Sequence, residues 1–71
     1  MNTMLNIVIE KDSIGYVAYC PALAGCMTQG ETFEEVMHNI REAVELYLET
    51  LSADEISALS KKEVYTTALA I

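Results

Sequence analysis

Cys20, Cys26 and His38 are the residues of this 71-residue chain whose types invite metal or thiol chemistry. A structural zinc site takes four ligands, usually as closely spaced pairs. Here the cysteines stand further apart, the single histidine falls in a helical stretch, and no fourth ligand is evident. The cysteines read instead as two small residues filling a sheet. His38 lies off the apolar stripe of its helix, four residues from both Glu34 and Glu42, and reads as a solvent-exposed position. No serine or cysteine has an identifiable base, so nucleophilic catalysis has no support.

The acids are the second group that bears on chemistry. Glu42, Glu45 and Glu49 follow spacings of three and four and make an acidic stripe on one helix face, with Arg41 placed to offset Glu45. Such a stripe is either a solvated face or a docking surface for a basic partner. Two-metal hydrolysis needs carboxylates that converge. Glu10 and Asp12 end a strand, and nothing in the sequence places them near the helix acids. The reading is therefore a non-enzymatic protein with no catalytic residue, no metal and no cofactor.

The elements that position these residues must be few. Seventy-one residues make one domain, 1–71, and so short a chain buries only about 60–65% of its unfolded surface. With 52% hydrophobic residues, a single small core does not hide all of the apolar surface, and a homo-oligomer, dimer or tetramer, is expected. Eleven acids against four Lys and Arg give a net charge of −7. That balance argues against direct nucleic-acid binding, which needs cations facing phosphates, and suits a basic protein partner. The opening MNTMLNIVIEK has no basic leader, and no apolar run approaches the roughly 20 residues of a membrane span. A cytoplasmic protein with reduced thiols is expected.

Period-two alternation predicts a strand over 4–11, with Leu5, Ile7 and Ile9 on one face and Val8 among the residues of the other. Asp12-Ser13-Ile14-Gly15 predicts a hairpin turn. A second strand over 16–20 has Tyr16, Ala18 and Cys20 on one face and Val17 and Tyr19 on the other, so neither face is polar. Pro21 ends it, Gly25 calls for a backbone conformation closed to other residues, and 26–29 make a short third strand. Thr32-Phe-Glu-Glu35 fits a capping box that opens a long helix over 33–51, with Phe33, Val36, Met37, Ile40, Ala43, Val44, Tyr47, Leu48 and Leu51 as its apolar stripe. Ser52-Ala-Asp-Glu55 caps a short helix over 53–59, and alternation over 63–71 predicts a last strand. The sum is a two-layer α+β domain, β-β-β-α-(short α)-β, with a mainly antiparallel sheet covered on one face by the long helix.

The ordered set Ile9-Glu10-Lys11-Asp12, Gly15-Tyr-Val-Ala-Tyr19, Pro21-Ala-Leu-Ala-Gly25-Cys26, Thr28-Gln29-Gly30, Thr32-Phe-Glu-Glu35 and Ala43-Val-Glu-Leu-Tyr-Leu48 closely resembles the HicB-like antitoxin family. The resemblance covers roughly residues 5–51. It implies a partial RNase H-like or double-stranded-RNA-binding-like fold that neutralises a small basic RNA-cleaving toxin by covering its RNA-facing surface. Many family members add a domain that binds operator DNA; here residues 52–71 are taken up by a short helix and a strand, so no such domain is expected in this chain.

The expected contact surface consists of Tyr16, Tyr19, Pro21, Leu23 and Gly25 around the second strand, with Glu42, Glu45 and Glu49 on the helix. The alternative is an orphan, self-associating small domain that binds a small molecule or another protein and has no toxin partner.

Overall fold

The chain is described over residues 3–71 in a computed structural model. Residues 1 and 2, which the single-domain reading includes, lie outside the described residues. The elements run β1 (Val8–Lys11), β2 (Tyr16–Tyr19), β3 (Met27–Gly30), α1 (Phe33–Leu48) and α2 (Ala53–Leu59). The three strands form one antiparallel sheet in the order β1-β2-β3, and the α+β class is as expected.

Each connection follows from its residues. Asp12 closes the first hairpin: its Oδ1 accepts from the backbone N–H groups of Ile14 at 2.8 Å and Gly15 at 3.1 Å. Those bonds, Ile14 first, hold the Asp12 carboxyl below its ordinary range. In the second connection Leu23 N–H donates to the Cys20 carbonyl and Cys26 N–H to the Leu23 carbonyl, both at 3.0 Å. Gly25 takes φ +78° there, the left-handed region its residue type predicts.

The register decides what each face carries. Val8 stands opposite Tyr19, and Tyr19 opposite Met27; Ile9 stands opposite Ala18, and Ala18 opposite Thr28. Side chains alternate across a strand, so Ile9, Ala18 and Thr28 share the face that α1 covers. Val8, Val17, Tyr19 and Met27 share the other. The buried core among the described residues is Ala18, Cys20, Leu23, Cys26, Val36 and Ile40, with no buried polar residue. The helix packs chiefly on β3 and then on β2. Gly30 permits this approach, because a Cβ there would stand 2.7 Å from the Val36 backbone nitrogen.

Both helices are capped as the sequence predicts, with one difference. Thr32 Oγ1 accepts from Glu35 N–H at 3.0 Å, but the Glu35 carboxylate reaches back to Glu31 N–H, one residue before the cap. At α2 the box is complete: Ser52 Oγ accepts from Glu55 N–H at 3.2 Å and Glu55 Oε1 from Ser52 N–H at 2.8 Å. That backbone bond holds the Glu55 carboxyl below its ordinary range.

Three boundaries differ from expectation. The first strand begins at Val8 instead of residue 4, because its partner β2 ends at Tyr19 before Pro21 and leaves residues 4–7 with nothing opposite. The long helix ends at Leu48 instead of residue 51. Its last turn carries acids and no base, against the helix dipole, and Ser52 must be extended to cap α2. The predicted strand over 63–71 pairs with no strand of the sheet. Alternation confers the capacity to be a strand, but a strand exists only by pairing, and among the described residues this segment pairs with neither sheet edge.

Candidate partner-binding surface

The sheet face turned away from α1 is the largest change the structure makes to the expected site. Tyr19 stands at the centre of a cross-strand row with Val8 on one side and Met27 on the other, and Val17 extends the patch along β2. Val8, Val17 and Tyr19 are half-buried by one another, while Met27 is 60% exposed. Glu10 and Gln29 flank Val17 and give the patch a polar border. Neither helix packs on this face. An apolar centre with a polar rim is the composition of a protein-binding surface.

The predicted residues divide between this face and others. Tyr19, Pro21, Leu23 and Gly25 come together around a shallow depression of about 300 Å³, which Met27 also lines. Leu23 is only 2% exposed and belongs to the core, so its side chain is not on the contact surface where it was expected. Tyr16 faces the helix side. Its ring meets Phe33 edge-on at 6.3 Å and 77°, and Lys11 Nζ lies 5.7 Å from its centroid. Tyr16 therefore seals the helix entry and does not join Tyr19.

Glu42 and Glu45 lie on α1 and Glu49 is its C-cap, across the sheet from Tyr19. Glu42 stands 3.5 Å from His38 and Glu45 stands 3.5 Å from Arg41, all in exposed i,i+4 pairs. The single surface of the sequence reading is thus two: an apolar sheet face with the adjoining loop, and an acidic helix face. Sequence reasoning did not include Val8, Val17 and Met27 as site residues. Alternation already placed Val17 beside Tyr19, but the register that brings Met27 opposite Tyr19 is a tertiary fact.

The two cysteines are free and buried, and Cys20 N–H donates to the Cys26 carbonyl at 3.1 Å. Burial pushes the Cys26 thiol up, and its neighbour Cys20 adds to the rise. Cys20 and Cys26 are only 2% and 6% exposed, so both should be inert to reagents in solution. Iodoacetamide at neutral pH is expected to alkylate the folded protein at least about tenfold more slowly than the chain in guanidinium chloride, read by mass spectrometry. Equal rates would place the thiols at the surface. Among the described residues no three His, Cys, Asp or Glu side chains are grouped to hold a metal ion, and no helix is long and apolar enough to cross a membrane.

A three-stranded antiparallel sheet covered on one face by a long helix and left apolar on the other defines a small two-layer α+β domain. The chain belongs to the HicB-like antitoxins of bacterial toxin–antitoxin systems, whose family model matches residues 5–68. That match extends past the 5–51 of the motif resemblance and takes in α2 and most of the 63–71 segment. A UPF0150 protein of Helicobacter pylori is 56% identical over 59 residues, which is 83% of this chain and 82% of the relative. A UPF0150 protein of Synechocystis is 53% identical over 68% of this chain and 62% of the relative. One of Thermoplasma acidophilum is 50% identical over 63% and 67%. No solved structure matches the chain significantly.

Proposed function

We propose that this protein is the neutralising partner of a small basic RNA-cleaving toxin in a type II toxin–antitoxin system. It acts in the cytoplasm and has no catalysis of its own. The observation that carries this reading is the uncovered apolar sheet face of Val8, Val17, Tyr19 and Met27 in a chain of the antitoxin family. The toxin docks on that face and on the loop of Pro21 and Gly25, and its RNA-facing surface is covered. The net charge of −7 attracts a basic partner and speeds encounter. The same charge opposes direct binding to nucleic acid. Glu42, Glu45 and Glu49 contribute to this long-range attraction from the helix side. The protein works as a homo-oligomer, dimer or tetramer.

The test is co-expression with a small basic RNA-cleaving protein encoded in the adjacent reading frame, where one is found. The two are expected to co-purify as a stable complex in which RNA cleavage by the toxin is suppressed. Undiminished RNA cleavage at equimolar mixing would overturn the proposal.

A further inference from the structure

Two strand-patterned segments have no backbone partner among the described residues. Among the described residues, no hydrogen bond outside the regular elements involves the backbone of residues 3–7 or 63–71. The first segment continues β1 beyond the end of β2. It forms one wall of an open groove of about 590 Å³ whose other wall is α1, lined by Leu5, Ile7, Met37, Ile40, Val44 and Leu48. The groove exists because α1 packs on β3 and β2 and leaves the β1 side of the helix stripe uncovered. Among the described residues no strand pairs with the outer edge of β1, whereas Asn39 Nδ2 donates to the Gln29 carbonyl of β3 at 2.9 Å.

The second segment has the shape and chemistry that the groove lacks. Tyr65, Thr67, Leu69 and Ile71 alternate with Val64, Thr66, Ala68 and Ala70, and Tyr65 and Leu69 are each 82% exposed. Nine residues of strand span roughly 30 Å. Lys62 Nζ donates to the Pro21 carbonyl at 2.8 Å, which ties the start of the segment to the sheet end where β2 stops. From there residues 65–71 are all exposed. The Cα radius of gyration is 13.3 Å, against about 11 Å for a compact chain of this length. The accessible surface is 5676 Å², against about 4,400 Å² for a compact monomer of this mass. The excess is larger than the roughly 800 Å² per partner that a standard interface buries.

We infer that residues 63–71 of one copy form a fourth strand beside β1 of a second copy, with the exchange made twice in a two-fold dimer. The apolar side chains of the segment enter the groove between β1 and α1, and its backbone pairs with the free edge of β1 and its extension at 4–7. The partner is a second copy because each copy carries both the groove and the segment, so the exchange closes on itself. The face of Val8, Val17, Tyr19 and Met27 stays open in this dimer, so the inference stands independently of toxin binding.

Sedimentation of the full chain without any partner tests it, together with Thr67→Pro and Leu69→Asp variants. Thr67 and Leu69 are exposed and outside the buried core, so both variants should keep the circular dichroism of the parent. The parent is expected at twice the 7.8 kDa of one chain. Thr67→Pro removes a ladder donor from each exchanged segment and should weaken the dimer by at least about tenfold. In a mixture of labelled and unlabelled protein, Leu69 methyl protons should show nuclear Overhauser effects to Leu5 or Val44 of the other copy. A monomeric parent, a dimer indifferent to both variants, or contacts of Leu69 confined to its own copy would each overturn the inference.

Discussion

Replacing Ile40 with alanine is expected to cost about 2–5 kcal/mol of folding stability. Ile40 is 1% exposed and stands with Val36 as one of the two buried residues of α1. A 71-residue domain has a total stability of about 3.5–11 kcal/mol, so this one truncation removes a large share of it. The size of the effect follows from how little core there is. Ala18, Cys20 and Cys26 are small, and the helix supplies the bulk that covers them. Urea denaturation should show a lower midpoint with an unchanged slope. Gly30→Ala should destabilise for a different reason, since its Cβ would meet Val36 backbone that cannot give way without lifting α1. If Ile40→Ala cost less than about 1 kcal/mol, the helix would not be the main cover of the sheet.

The second large effect concerns binding. The double change Tyr19→Ala and Met27→Ala is expected to weaken the toxin complex by about 30-fold or more, the loss of about 2 kcal/mol that defines an interface hot spot. Tyr19 and Met27 are neighbours in one cross-strand row on the open face. They lie outside the buried core, so the circular dichroism spectrum should be retained. The comparison is the triple variant Glu42→Gln, Glu45→Gln, Glu49→Gln. Those carboxylates are on α1 and its C-cap, and in the proposed complex their role is long-range attraction of the partner. Their neutralisation should slow association and reduce its salt dependence while leaving the dissociation rate nearly unchanged. The opposite pattern, with the sheet variant neutral and the helix variant unable to hold the toxin, would move the docking surface to the helix.

The same logic explains which parts of the site were legible. Alternation along β2 was enough to show that Val17 and Tyr19 share one face and that a single helix covers only the other. It equally puts Tyr16 on the covered face with Ala18 and Cys20, although the sequence reading still counts Tyr16 among the contact residues. Tyr16 points to the helix side and packs against Phe33, a contact between residues seventeen apart in sequence that depends on how α1 enters over the sheet. The sequence reading places Leu23 in the contact surface around the second strand, within the connection after Pro21. The loop folds inward, with hydrogen bonds from Leu23 N–H to Cys20 and from Cys26 N–H to Leu23, and carries the side chain into the core.

What the sequence determined by itself is local chemistry. The Asp12 turn, the left-handed Gly25, the caps at Thr32 and Ser52, the full extent of α2 and the two-faced apolar character of β2 all depend on interactions within a few residues. The family is equally a property of the sequence. Tertiary structure alone decided the rest. Strand limits depend on what lies opposite, so β1 shortened where β2 stopped at Tyr19. The placement of Met27 beside Tyr19 depends on register, and the separation of the acidic stripe from the apolar face depends on which side of the sheet the helix takes. Residues 63–71 show the division most plainly. Their alternation specifies a strand, but pairing is a contact between distant segments, and within one copy that contact is not made.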